Sequence, residues 1–351
     1  MISVLIEETQ AESPTLSPAR RAAHGTGAAT HDGAAEGLDV LRRIEVVPPP
    51  EPSSTPAHEL RVAFWNAERA KYLEASADLL RIVAADVVLL CEMDLGMARS
   101  GQHHTTRWLA EALDLGHVFG VEFVELGLGD ARERSWHAGA ENREGLHGGA
   151  ILAAREFDRP ALIRIDAGGA WFDGLRDEPR IGGRIAVAGK LDVAGVSVAF
   201  VSTHLESHSD PDDRARQATA LLDAIDVYHG DGPVILGGDF NTTSASYSAL
   251  NVHPGRKVLE RADPGRFLDP VPYEPLFEVL QARGYDRAAC NTAHATQRTR
   301  PDGTPEPPHG RIDWFFTRRL LARDPATVAA VDDAGAAISD HELLAVTIAP
   351  A

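Results

Sequence analysis

Eight polar residues of this sequence sit at or beside the ends of apolar runs: Asn66, Glu92, His204, Asp239, Asn241, Asp313, Asp340 and His341. Carboxylates and amides dominate the set. Such oxygen donors suit a hard cation, Mg²⁺ or Mn²⁺, better than zinc. Glu92 and Asp340 are candidate metal ligands. His341 follows Asp340 directly, and Asp313 is available to hold its imidazole, a pairing that fixes the tautomer and raises basicity. Asp239 and Asn241, two apart on one strand end, can project to the same side. One can then act on a water while the other donates to an anionic oxygen. Together these groups point to in-line attack of water on a phosphoester, assisted by a metal and hydrogen-bond donors.

The positions come from the elements beneath them. ELRVAFWNAE reads as a strand ending at Asn66, and ADVVLLCEMD as a buried strand carrying Glu92 at its carboxyl end. RIAVAGKLDVAGVSVAFVSTHLE reads as a hairpin turning near Val193–Gly195, with His204 at the end of its second strand. PVILGGDFN is a further buried strand, terminating in Asp239 and Asn241; GRIDWFFTR carries Asp313, and Asp340 and His341 precede a final strand. Helices are expected over Lys71–Ala84, Thr105–Leu113, Asp212–Tyr228 and Glu274–Arg283, and a Gly-rich loop over about Ala167–Gly183. Buried strands position side chains rigidly, so a sheet edge lined this way can present a site.

Composition bounds the rest. The 351 residues are 44% apolar and 25% charged, ordinary for a globular fold, and no apolar run is long enough for a membrane helix. The start, MISVLIEETQAE, has no basic leader, so a cytoplasmic protein is expected. Cys91 and Cys290 are expected to be reduced and packed. A formal charge of −18 works against gripping long nucleic acid. Residues 1–57, rich in Ala, Gly, Ser, Glu and Pro, read as a disordered or irregular extension; residues 58–351 read as the catalytic domain.

The ordered set WN at Trp65–Asn66, CE at Cys91–Glu92, STHLES at Ser202–Ser207, GGDFN at Gly237–Asn241, RIDW at Arg311–Trp314 and SDH at Ser339–His341 resembles the endonuclease/exonuclease/phosphatase superfamily. The resemblance runs over about residues 59–349 and lies nearest the deoxyribonuclease, sphingomyelinase and inositol-phosphatase branch. It departs from the abasic-site repair branch, which has a Tyr where His204 stands. It implies a four-layer α/β sandwich, two packed mixed sheets flanked by helices, with the site at one end. It also implies Glu92 as the main Mg²⁺ ligand, with Asn66 and Asp340 close to the metal. Asp239 would orient or deprotonate the attacking water, and Asn241 and His204 would contact phosphate. His341, paired with Asp313, would give acid–base or electrostatic help. Whether Asp239 or His341 is the base stays open at this level.

Three further residues are candidate substrate contacts. His147 precedes a strand and could reach the site, or be bonded locally. Arg180 and Arg184 flank a Gly pair and could clamp a phosphate or head group, or lie in a solvated loop. Glu122 and Glu125 read as edge or surface carboxylates, and the His103–His104 and His204/His208 pairs lack the partners of a zinc site. The expected activity is hydrolysis of a phosphodiester or phosphomonoester of a small molecule or lipid head group. A nuclease is the runner-up, with nucleic acid a possible but less favoured partner. A catalytically silent binding module on the same fold is the third reading.

Overall fold

The computed structural model of the chain describes residues 4–27, 30–165, 171–172, 178–251, 255–298 and 310–351. The expected Gly-rich loop lies partly outside them. Before residue 58 come β1 (Val4–Ile6), β2 (Thr9–Gln10), β3 (Ile44–Val47) and two helices, α1 (Pro18–Gly27) and α2 (His31–Ala35). The first large unit follows as β4 (Leu60–Asn66), α3 (Leu73–Val83), β5 (Val87–Leu95), α4 (Thr105–Ala112), β6 (Gly116–Glu125), α5 (Ala131–Trp136) and β7 (Leu146–Ala153). The second comprises β8 (Asp158–Arg164), β9 (Arg180–Gly182), β10 (Ile185–Val193), β11 (Val196–His204), α6 (Pro211–His229) and β12 (Val234–Asp239). Helices α7 (Tyr247–Asn251), α8 (Gly255–Ala262) and α9 (Leu276–Ala282) precede β13 (Asp313–Arg318), β14 (Leu320–Val328) and β15 (Leu343–Pro350).

These strands form two mixed sheets. One has the order β1-β8-β10-β11-β12-β13; the other runs β14-β15-β4-β5-β7-β6-β3-β2, with β9 added against β6. Alternation within the strands explains the layering. On β4, Leu60, Val62 and Phe64 face Phe200, Ile235 and Phe315 of the opposite sheet, while Ala63 and Trp65 face the layer of α3 and α4. The outer face of the smaller sheet is covered by α6 and α9 through Leu221, Ile225, Leu276 and Leu280. Strands buried on both faces carry near-continuous apolar runs, as these do. The result is the expected four-layer sandwich. The edge strand β14 is partly buried to exposed and carries Arg323, Asp324 and a proline, features that blunt an open edge.

Two glycines of GGDFN have a packing reason. A Cβ at Gly237 would stand 2.9 Å from Leu89 Cδ1 across the sheets, and one at Gly238 would stand 2.5 Å from Thr203 Cγ2. Any larger residue would push β12 away from its neighbours.

Residues 1–57 differ from the expected extension. Val4–Ile6 pair with Leu162–Arg164, and Ile44–Val47 pair with His117–Gly120, so this segment adds β1 to the smaller sheet and β2 and β3 to the larger. Glu45 on β3 is fully buried. Its Oε1 lies 3.0 Å from the Nε2 atoms of both His104 and His117 and 3.1 Å from Arg107 Nη2, while Oε2 accepts from Ser13 N–H. The low apolar content of the segment concealed this, because its few aliphatics and one acid make the contacts. Cys91 and Cys290 are both free and buried. No helix among the described residues is long and apolar enough to cross a membrane.

Candidate active site

His204, Asp239 and Asp313 occupy facing positions on β11, β12 and β13. Residues paired this way put their side chains on one face of the sheet. In the other sheet Asn66 pairs with Cys91, and the next residue, Glu92, sits in a β-bulge with a φ of 56°. A bulge re-aims a side chain, and here it turns Glu92 toward Asn66. The Asn66 amide joins the two sheets: Nδ2 donates to Glu92 Oε1 at 3.2 Å and to Asp239 Oδ2 at 3.1 Å, and lies 3.5 Å from His341 Nε2.

His341 is fixed from both sides. Its Nδ1 lies 3.0 and 2.9 Å from the two oxygens of Asp313, and Nε2 lies 3.8 Å from Asp239 and 3.9 Å from Asp340. Trp65 Nε1 donates to its carbonyl, and Ser339 Oγ both accepts from its N–H and donates to the Asn66 carbonyl. Burial alone would lower the imidazole, but Asp313, with Asp239 and Asp340, holds it well above its ordinary value, as an imidazolium. Burial pushes the Asp239 carboxyl up to about 7, helped by Asp313 and opposed by His341 and the Asn241 N–H. His204 Nε2 lies 3.5 Å from Asp239 Oδ2, and burial together with Arg184 keeps this ring well below its ordinary value, neutral.

Asn241 has a φ of 49°; its N–H donates to Asp239 Oδ1 and its amide donates to the Leu205 carbonyl at 2.9 Å. Asp340 is partly buried, and its N–H donates to Glu68 Oε2 at 3.1 Å.

Sequence reasoning passed over the loop that follows β4. Glu68, Arg69 and Ala70 all have positive φ, a costly backbone for residues with a side chain. The turn brings Arg69 Nη1 to 2.6 Å from Glu92 Oε2 and its Nε to 3.3 Å from Glu133. Burial would raise the Glu92 carboxyl, yet Arg69, with His204, His147 and His341, holds it well below the carboxylate range. The signal was the charged run ERAK after the strand end. The carboxylates Glu92, Asp239 and Asp340 are of a kind that fits a hard ion, and Glu92 already accepts from Asn66 and Arg69. Asp239, Asp313 and His341 also lie close enough together to hold one. Asn66 presents its amide nitrogen to this space, because its Oδ1 accepts the Glu68 N–H.

The other candidates lie in a buried ionic layer. His147 Nδ1 is 2.8 Å from Asp94 Oδ1, and Arg99 bonds both oxygens of Asp94. Arg184 donates to Glu122 at 2.8 Å and to Glu206 at 3.1 Å; Arg180 lies 2.9 Å from Glu125, contacts Glu178 and stacks over Trp171. Both arginines are therefore buried and matched by carboxylates, unlike a solvated loop. Glu122 and Glu125 are each 1% exposed, which corrects the reading of them as surface groups. They lie on β6, where the β9–β10 arginines neutralise them. Glu206 and Trp171, whose Nε1 donates to Glu206 Oε2 at 2.8 Å, were also missed.

Residues 63–341 match the Endonuclease/Exonuclease/phosphatase family. The fold is similar to that of an endonuclease/exonuclease/phosphatase from Beutenbergia cavernae, with 19% identity, a TM-score of 0.57, and coverage of 84% of this chain and 72% of that one. It is also similar to the human Nocturnin catalytic domain, solved with a bound sulfate anion, at 18% identity, a TM-score of 0.53, and coverage of 85% and 100%. A family protein from Leptotrichia buccalis gives 13% identity, a TM-score of 0.51, and coverage of 82% and 99%.

Proposed function

Because the chain belongs to the endonuclease/exonuclease/phosphatase family, we propose that it is a Mg²⁺- or Mn²⁺-dependent phosphoesterase. In this reading water attacks the phosphorus of a small-molecule or lipid-head-group ester in line with the leaving oxygen. The observation that carries it is the Asn66 amide, which gathers Glu92, Asp239 and His341 from both sheets around one small space. Glu92 and Asp340 would hold the cation, with Asn66 beside it, and Arg69 positions Glu92. The bound ion would polarise the phosphoryl group and neutralise its developing charge.

The electrostatics support one division of the acid–base roles that the sequence left open. An imidazolium cannot accept a proton, so His341, held charged by Asp313, donates or stabilises negative charge. Asp239, whose carboxyl lies near neutrality, orients the water and accepts its proton. His204 and Asn241 contact the phosphate oxygens. Burial, with Arg184, keeps the His204 ring neutral. The charge of −18 supports a small or lipid-borne ester over long nucleic acid.

The test is a divalent-metal assay on bis-p-nitrophenyl phosphate, p-nitrophenyl phosphate, a sphingomyelin-type lipid, and single- and double-stranded DNA, using the parent and Glu92→Ala. Metal-dependent turnover of a small ester or lipid in the parent, lost in a folded Glu92→Ala, supports the reading. Cleavage of DNA alone would replace it with a nuclease. Undiminished turnover by Glu92→Ala would remove Glu92 as a ligand, and a folded, metal-binding but inactive parent would favour a binding module.

A further inference from the structure

A cavity of about 480 Å³ lies where β1, α2 and the 3₁₀ turn at Asp39–Leu41 meet Arg164 at the end of β8. Its size falls within the roughly 300–1,000 Å³ of small-ligand sites. The walls are largely aliphatic, from Leu5, Ile6, Ala35 and Leu41, with Arg164 and Arg42 among the lining residues. None of the groups assigned to hydrolysis lines it.

Arg164 is the informative residue. Its Nε donates to the Leu41 carbonyl and its Nη2 to the Val121 carbonyl, both at 2.7 Å, so two nitrogens are anchored on neutral oxygens. Nη1 has no hydrogen-bond partner among the described residues, and Arg164 lines the cavity. Among the described residues no carboxylate bonds this guanidinium; the acid it senses, Glu122, is already paired with Arg184. Burial accordingly pushes Arg164 down to about 10. The arginines of the ionic layer described above all have carboxylate partners, so an enclosed arginine held only by carbonyls is a different arrangement. Glu7 and Glu8 also line the cavity, but Glu7 is paired with Arg159, and Glu8 with Arg43 at 2.9 Å. Neither is free to serve Arg164. Arg42 is exposed, has no bonded partner among the described residues, and adds a second positive charge to the lining.

A cation at one end of an aliphatic chamber is complementary to an anion with an aliphatic tail. We propose that this cavity binds a medium-chain alkyl carboxylate, its head on Arg164 Nη1 and its tail along Leu5, Ile6, Ala35 and Leu41. The carboxylate supplies the ionised acceptor that the guanidinium lacks, and the tail removes apolar wall from water.

Isothermal titration calorimetry of the full chain tests this with octanoate and decanoate, below their micellar concentrations. Acetate and decyltrimethylammonium serve as controls, and all titrations are repeated with Arg164→Gln and Ala35→Phe. Decanoate should bind once per chain, with affinity rising about threefold per added methylene from octanoate. Acetate and the cationic amphiphile should give no saturable heat. Arg164→Gln should weaken decanoate by about tenfold or more. Ala35→Phe, which fills the chamber from a partly exposed position and leaves Arg164 in place, should abolish binding. That variant decides the matter if Arg164→Gln does not fold. No decanoate binding by the parent, equal binding of the cationic amphiphile, or parental affinity in a folded Ala35→Phe would overturn the assignment.

Discussion

Asp313–His341 and Asp94–His147 are both buried aspartate–histidine pairs, with Nδ1 within 3.0 Å of a carboxylate oxygen in each. Their surroundings differ in sign. His341 has two further acids near its other nitrogen, Asp239 and Asp340, so the ring is charged and its Nε2 faces the cluster. Asp94 instead has Arg99 across both of its oxygens at 2.9 Å, and Arg99 reaches on to Glu133 at 3.2 Å. Burial would raise the Asp94 carboxyl; Arg99 and His147 hold it far below its usual range. The same two residue types thus carry a charged ring among acids in one place and form an arginine-bound structural tie in the other. The charge of the third neighbour, rather than the pair, decides which.

The sharpest way to break this comparison is to remove each histidine. His341→Ala should lower kcat by about 10³–10⁴-fold in a protein that still unfolds cooperatively. His147→Ala should leave kcat per folded molecule within about tenfold of the parent. Equal losses in both would erase the distinction.

Acid should loosen the ionic layer. Burial would raise the Glu133 carboxyl, but Arg69 and Arg99 bring it down from 4.5 to about 2. A depressed folded value means the contribution is fully present above the unfolded value and is lost as pH falls from about 4.5 toward 2. The shift corresponds to on the order of 3 kcal/mol. Urea unfolding between pH 5 and 2.5 should therefore show a steep loss of stability in the parent and a flatter one in Glu133→Gln. Parallel curves would count against the assignment.

Asp94→Asn should cost about 3 kcal/mol in the same urea measurement, because it leaves the fully buried Arg99 under-neutralised. Catalysis by the folded fraction should be little changed. Asp313→Asn should do the reverse: stability within about 1 kcal/mol of the parent but kcat down by roughly 10²-fold, since an amide no longer holds the imidazolium. A pH–rate profile unchanged in shape and height would remove Asp313 from the mechanism.

Much of the sandwich was legible because its strands are buried on both faces. β5 and β12 open on apolar runs that lead to acids, Glu92 and Asp94 in one and Asp239 in the other, a pattern visible without coordinates. Helices α3, α4, α6 and α9 fell within a few residues of their expected spans, since amphipathic periodicity marks them. The eight polar residues at strand ends were legible for the same reason. What stayed hidden was pairing at a distance. Arg69 reads as one charge in a polar run until three positive-φ residues fold it back onto Glu92. Glu122 and Glu125 alternate with apolar residues as surface acids do, and only the return of β9 and β10 supplies the arginines that let them be buried. The first 57 residues have too few apolar positions for any period to show. Much of the order among their described residues comes from partners distant in sequence, as Glu45 with His117 illustrates.

That last arrangement has a consequence for synthesis. Val4 lies opposite Arg164 in register, so β1 waits for about 160 further residues before its partner exists. At ~5–20 residues per second this is a delay of roughly 10–30 s. The β1 strand leaves the ribosome long before the hairpin edge that shelters it. Closure of the smaller sheet is then a late event in the life of the nascent chain, and Val4–Ile6 are apolar residues that a holding chaperone could shield until β8 arrives.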